Sequence, residues 1–267
     1  MYLLSRTVRF AIKPGGSDAS PGVNGYAGNP PSAGLSRHYE LVVNCRGDLD
    51  HRSGYLLNIK EIDRAVRSAA LPIVQQAADS RPTAEPGELM PAILAALSKP
   101  LGPLLSVVRW KVTPYYSVEM SAAATNSVML RQRFDFCASH RLNVPTLSAE
   151  ENRTLFGKCN HSNGHGHNYQ FEPCVEVALD GSGRQPFSLR ELEALADSII
   201  VQRFDHKNLN MDTVEFKDGS GVNPSVENIA RICFELLDAA MRRANARATL
   251  KSVTAWESDR TSCTYPS

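Results

Sequence analysis

Residues His38–Asp50 can be laid beside Asn168–Asp180 without a gap, HYELVVNCRGDLD against NYQFEPCVEVALD, and a chain that carries one strand pattern twice is constrained towards a duplicated architecture. Each copy is followed by a capping-box pattern, Asn58-Ile-Lys-Glu61 in the first and Ser188-Leu-Arg-Glu191 in the second. In such a box a short polar side chain accepts from N–H groups that the first helical turn leaves unpaired. A second pair of segments, Leu105–Val112 and Leu250–Glu257, aligns Ser106-Val107 with Ser252-Val253 and brings the chain's two tryptophans, Trp110 and Trp256, to one repeat position. The shared order of these matches predicts two units, each running strand, strand, helix, helix, strand, with the last segment a hairpin. The boundary falls between Ser121 and Ser127.

The periodicities agree with that order. Phe134, Phe136, Ala138 and His140 alternate onto one strand face, as do His165, His167, Tyr169 and Phe171. Leu189, Leu192, Ala196, Ile199 and Ile200 recur at helical spacing, and so do Ile229, Cys233, Leu236, Leu237 and Ala240. The first copy repeats the pattern with Ile59, Ile62 and Val66, then with a shorter stretch from Leu89 to Leu97. The expected class is therefore α+β, with helices covering one face of an antiparallel sheet in each unit. The Gly/Pro/Ser-rich span Gly15 to Pro31 reads as a surface loop.

Charge excludes several kinds of partner. Lys and Arg number 29 against 28 Asp and Glu, so no molecule-wide field favours nucleic acid or an anionic membrane. No apolar run approaches the roughly 20 residues that span a bilayer, and Met1 to Ile12 is too charged for a signal peptide, which together predict a cytoplasmic protein. The six cysteines are scattered without a CxxC pair, against both a disulfide framework and a zinc knuckle.

Chemistry concentrates in the second copy. Alternation puts His165 and His167 on one strand face, about 7 Å apart along the strand, with Gly166 between them leaving room at a metal. His140, at the end of a neighbouring strand, can supply a third imidazole. Three neutral imidazoles with an open fourth position describe a catalytic zinc site. His161 lies in the Asn160-His-Ser-Asn163 turn and reads as a solvated residue. Cys159 precedes the histidine strand beside Lys158, where a cation and a metal would both favour the thiolate as a base or nucleophile. Asp205-His206 follows the first helix of the second copy, where a carboxylate can orient an imidazole, although chain neighbours usually point apart. Glu257 ends the face of Val253 and Ala255, where a carboxylate must meet a cation or a ligand that donates N–H groups.

Five segments together, Phe136–Leu142 (FCASHRL), Phe156–Tyr169 (FGKCNHSNGHGHNY), Phe204–Asp212 (FDHKNLNMD), Pro224–Asn228 (PSVEN) and Trp256–Asp259 (WESD), resemble the 6-pyruvoyltetrahydropterin synthase family, in family order. The resemblance implies a tunnelling fold, in which four-stranded antiparallel sheets with two helices on one face join into a β-barrel. It implies tandem units here, residues 1–122 as a degenerate copy and residues 128–267 as the catalytic domain, in a homo-oligomer with sites at unit boundaries. Residue by residue, it implies that His140, His165 and His167 hold Zn2+. Cys159 would be the base, and Asp205 and His206 its proton relay. Glu257 would anchor the pterin ring, with Ser225 and Glu227 as further pterin contacts, though Ser225-Val226 stands where the family often has threonines. The implied reaction converts 7,8-dihydroneopterin triphosphate to 6-pyruvoyltetrahydropterin by elimination of triphosphate. Two other readings are formation of 6-carboxytetrahydropterin and a non-catalytic pterin-binding scaffold. The five-residue turn between Cys159 and His165 favours the pyruvoyl product over the carboxy-forming branch, and retention of Cys159, Asp205, His206 and Glu257 favours turnover. The first copy lacks this set. Pro14 or a neighbour takes the place of His140, Leu35 and Arg37 those of His165 and His167, and Lys111 that of Glu257, with no counterpart of Asp205-His206.

Overall fold

A computed structural model describes residues 1–13, 15, 30 and 35–267 and divides them into two compact units. Pro14 and nearly all of the Gly15–Pro31 loop lie outside the described residues. The first unit comprises Met1–Leu130 with Val177–Pro186, and the second Arg131–Glu176 with Phe187–Ser267. Secondary structure is mixed α+β in both.

In the first unit β1 (Tyr2–Ile12), β2 (Arg37–Gly47), β3 (Leu105–Lys111) and β4 (Tyr116–Ser121) pair antiparallel in sequence order. Asn58 accepts from the Lys60 N–H and starts α1 (Ile59–Ala65), which continues through a π-helical turn, Val66–Ala70, into α2 (Leu71–Ser80). A 3-10 turn, Pro86–Leu89, leads into α3 (Met90–Leu101). Alternate strand residues Val8, Phe10, Ile12, Leu41, Val43, Val108 and Trp110 are buried, as are Ile62, Val66, Ile93 and Leu97 of the helices. Ile59, expected on the apolar stripe, is 44% exposed because it occupies the first helical position, ahead of the turn that meets the sheet. The outward residues form ion pairs instead, Arg9 and Lys111 with Glu40 and Arg109 with Glu119.

The division between units falls at Leu130/Arg131, inside β5 (Ala124–Gln132), later in the chain than the Ser121–Ser127 turn suggested by the repeat. In the second unit β6 (Phe134–His140) pairs antiparallel with β7 (His165–Ala178), β7 with β9 (Thr249–Ser258), and β9 with β10 (Thr261–Tyr265). The two-residue β8 (Lys207–Asn208) runs parallel to β6 on its other side. Between β6 and β7 lies α4 (Ala149–Phe156), which the periodicities did not predict. Ser188 and Glu191 complete the predicted capping box of α5 (Leu189–Ala196). That helix again passes through a π-helical turn, Asp197–Val201, into α6 (Gln202–Phe204). A short α7 (Leu209–Asp212) precedes α8 (Val226–Arg243), which packs on β9 and β10.

Internal register corrects the tryptophan alignment. Trp110 is buried opposite Leu41, whereas Trp256 is half-buried opposite Gln170 with the Arg133 guanidinium over its ring. Both units carry a bulge at the same place, between Asn44 and Cys45 and between Cys174 and Val175. Counting from those bulges, Trp110 corresponds to Ala255, Lys111 to Trp256 and Val112 to Glu257. Because the bulge is common to both units it introduces no offset between them; matching the tryptophans inserted one extra residue, and a one-residue slip puts every side chain beyond it on the other face.

Candidate metal centre

Strand pleat and register assemble the site. His140 and His165 are direct partners across β6 and β7, His167 lies two residues along β7 on the same face, and Glu257 continues the buried Val253–Ala255 face of β9. The ligand atoms of these four residues all lie within 4.8 Å of one another. His140 Nε2 is 3.1 Å from His165 Nε2 and 3.2 Å from Glu257 Oε1, and His167 Nε2 is 3.3 Å from the same carboxylate oxygen. Four donors on a tetrahedral ion with bonds of about 2.0–2.1 Å would stand about 3.3 Å apart, so the set fits a small divalent metal with little rearrangement.

The hydrogen bonds fix which atoms are free. His140, fully buried, has Nδ1 2.7 Å from the Pro224 carbonyl. A carbonyl only accepts, so Nδ1 donates to Pro224 and Nε2 is the ring atom turned to the cluster. His165 presents Nε2 to the cluster while its buried Nδ1 makes no hydrogen bond, and His167 Nε2 faces the Glu257 carboxylate without a well-aligned hydrogen bond. Burial, with the crowding of the other imidazoles, holds both rings below the usual histidine pKa against the opposing pull of Glu257. Neutral rings are the form a metal needs. The hydrogen bond with His140 holds Glu257 below the usual carboxylate range against the opposing effect of burial. Glu257 thus lies within ligand distance of a metal, in addition to the pterin-anchoring role the sequence suggested.

Tight turns carry the chain into the cluster. Gly164 has φ +68°, and a Cβ there would lie 2.8 Å from the His140 carbonyl oxygen, so only glycine lets the turn approach β6 so closely. Gly166 does not leave room at the metal as its position suggested. It alternates onto the opposite face, where an added Cβ would meet only the Ala138 carbonyl at 3.7 Å. His161 is exposed and accepts a bond from the Asn163 N–H, consistent with a solvated residue.

Cys159 sits in the 3-10 turn Gly157–Asn160 that ends α4, half-buried, with its carbonyl accepting from the Leu142 N–H at 2.9 Å. Three asparagines missed by sequence reasoning hold this region. Asn160 donates to the Leu142 carbonyl and Asn143, Asn152 to the Val144, Leu147 and Ser148 carbonyls, and Asn210 to the Arg141 carbonyl and Asp218. The sequence carried no signal for them, since it is the fold that buries these amides and so obliges each to satisfy several backbone groups.

Asp205 and His206 do face each other, with Nδ1 2.7 Å from Oδ2. His206 has φ +56°, a left-handed turn that brings adjacent side chains together. Cys137 locks the pair, its N–H donating to Asp205 Oδ1 at 2.8 Å and its carbonyl accepting from the His206 N–H at 2.6 Å. The Cys137 bond, followed by that with His206, holds Asp205 below the usual carboxylate range. The His206 ring is largely exposed in a 470 Å³ cleft lined by Cys137, Ser139 and Asn168, residues that alternate away from His140. No hydrogen bond links the pair to Cys159 among the described residues. Ser225 is occupied in capping α8, and Glu227 is exposed in that helix's first turn.

The family model for 6-pyruvoyl tetrahydropterin synthase matches residues 129–267, which include every member of the cluster. The chain belongs to that family. The human 6-pyruvoyl tetrahydrobiopterin synthase is 44% identical over 99 residues, covering 37% of this chain and 66% of the human protein, just under two thirds of its length. A putative 6-pyruvoyl tetrahydrobiopterin synthase of Caenorhabditis elegans is 36% identical over 139 residues, covering 52% of this chain and 94% of that protein. The solved structure of the Caenorhabditis elegans 6-pyruvoyl tetrahydropterin synthase shares 34% identity over 52% of this chain and 94% of its own, with a TM-score of 0.47. Among the described residues no helix is long and apolar enough to cross a membrane.

Proposed function

We propose that the second unit is a zinc-dependent lyase that converts 7,8-dihydroneopterin triphosphate to 6-pyruvoyltetrahydropterin with loss of triphosphate. The observation that carries this reading is the convergence of the ligand atoms of His140, His165, His167 and Glu257 within 4.8 Å of one another, inside the segment that matches the family. Zinc held by those three imidazoles would polarise the substrate's side-chain oxygens and make the neighbouring C–H easier to ionise. Cys159, as thiolate, takes that proton, a contribution of about 10²–10⁴ in rate. Glu257 turns from the imidazoles to accept two N–H groups of the pterin ring. Asp205 holds the His206 ring so that its far nitrogen exchanges protons at the site, and the triphosphate leaves with the electron pair of its C–O bond. Because Asp205 and His206 lie on the outward side of β6, the relay is best completed across a boundary between tunnelling-fold units in a homo-oligomer. Ser225 and Glu227 then bound the pterin from the start of α8.

The test is to load the purified chain with zinc, supply 7,8-dihydroneopterin triphosphate and identify the products by mass spectrometry. One triphosphate per 6-pyruvoyltetrahydropterin is expected. A 6-carboxy product, or no consumption of substrate by zinc-loaded protein, would overturn the proposal.

A further inference from the structure

Among the described residues Tyr169 is the largest fully buried side chain, and its hydroxyl has no hydrogen-bond partner. It is also placed beside the metal centre. Tyr169 follows His167 on the same face of β7, and its ring contacts those of His140 and His167 at centroid distances of 5.8 and 5.4 Å. Phe136 is its direct partner on β6 and stacks on it at 5.1 Å, which fixes the plane of the ring. On the other side the register that pairs Phe171 with Ala255 and Gln170 with Trp256 carries Tyr169 alongside Glu257. Yet Glu257 is engaged by His140 and His167, and the phenol is left out. A fully buried hydroxyl without a partner is destabilising, and phenylalanine would fill the same space without that cost.

We infer that the Tyr169 hydroxyl is a substrate-facing donor, giving its hydrogen bond to a side-chain oxygen of the pterin when substrate occupies the metal centre. The inference rests on the lyase reading and deepens it. As the C–H beside that oxygen loses its proton to Cys159, negative charge grows on the oxygen, and a donor already aimed there stabilises the transition state more than the ground state. The phenol keeps its proton throughout, so no atom or electron is transferred to it. Tyr169 is on this view a catalytic residue, and its unpartnered hydroxyl is the cost of having the donor in place.

The variant is Tyr169→Phe in the full chain, measured three ways. Steady-state kinetics of the zinc-loaded protein should show kcat reduced by about 10²-fold, the range found when one oxyanion donor is removed, with KM changed much less. Thermal unfolding of the metal-free variant should occur at the same temperature or higher, because an unsatisfied hydroxyl has been removed. Titration of cobalt(II)-loaded protein with neopterin, followed by the visible spectrum, should show about tenfold weaker binding by the variant. Wild-type kcat in the variant overturns the inference, and so does loss of turnover accompanied by lower metal-free stability, which would make Tyr169 structural. If wild-type protein turns over no substrate, the lyase reading fails. The cobalt titration then decides Tyr169 separately, with weaker neopterin binding supporting a ligand-facing hydroxyl and equal binding rejecting it.

Discussion

Cys159 contributes no atom to the histidine cluster, so single substitutions separate metal binding from chemistry. His165→Ala removes a neutral imidazole whose Nε2 stands 3.1 Å from that of His140 and leaves two histidines and a carboxylate. Tight zinc binding should fall by at least about 10²-fold, read by competition with a chromophoric chelator. Cys159→Ala should keep a full complement of zinc and lose about 10²–10⁴ of turnover; a zinc-loaded Cys159→Ala protein with wild-type rates would remove the thiol from the mechanism. Strand alternation made the three histidines and Glu257 legible in the sequence, because one-residue spacing within a strand dictates a shared face. Other features were not legible. The left-handed backbone of His206 depends on two bonds to Cys137, from an element 68 residues away. The free donor of Tyr169 depends on which neighbours already satisfy Glu257.

Among the elements, α4 is the one that periodicity could not reveal. Its sequence AEENRTLF has no apolar stripe, and Leu155 is 63% exposed, so the helix is not held by a buried face. It is held by its ends. Ser148 and Glu151 form a reciprocal capping box, and the Asn152 amide ties the preceding loop to it. The Ser148-x-x-Glu151 pattern was present in the sequence, but without an apolar run behind it carried too little weight. Ser148→Ala should destabilise the chain by about 1 kcal/mol, measured by denaturant unfolding. Zinc stoichiometry should be unchanged, because α4 supplies no ligand, and turnover should fall because the helix carries the Cys159 turn. A variant as stable as wild type would show that the cap bears no load. The strands β3 and β9 show the opposite case, existence legible and register not. Matching the tryptophans by residue type slips β9 by one position against β3, and one position changes the face, so the two stand on different faces in their units.

At the scale of the whole molecule, the repeated bulge, the repeated π-helical turn after a capped helix and the Phe10–Tyr39 and Phe136–Tyr169 pairs support a reading of the chain as two tunnelling-fold copies, of which one works. On the proposal that the first unit is a silent copy, register sharpens the case that sequence alignment made. Ile12 pairs with Arg37 as Ala138 pairs with His167, so a guanidinium that is cationic at any working pH occupies the place of a ligand. Leu35, two residues earlier, is fully exposed and has no lone pair to offer. Val112 stands where Glu257 does, and Lys111, which alignment had put there, is instead bound to Glu40 at 3.1 Å. Selection on such a unit can retain packing and sheet pairing while the site is lost. The chain should therefore bind one tight zinc, not two. Metal analysis of the intact chain after dialysis against a weak chelator should give about one equivalent per chain, and His165→Ala should give about none. Two equivalents in the wild type, or one remaining in His165→Ala, would place a second metal outside the cluster described and refute a silent first copy.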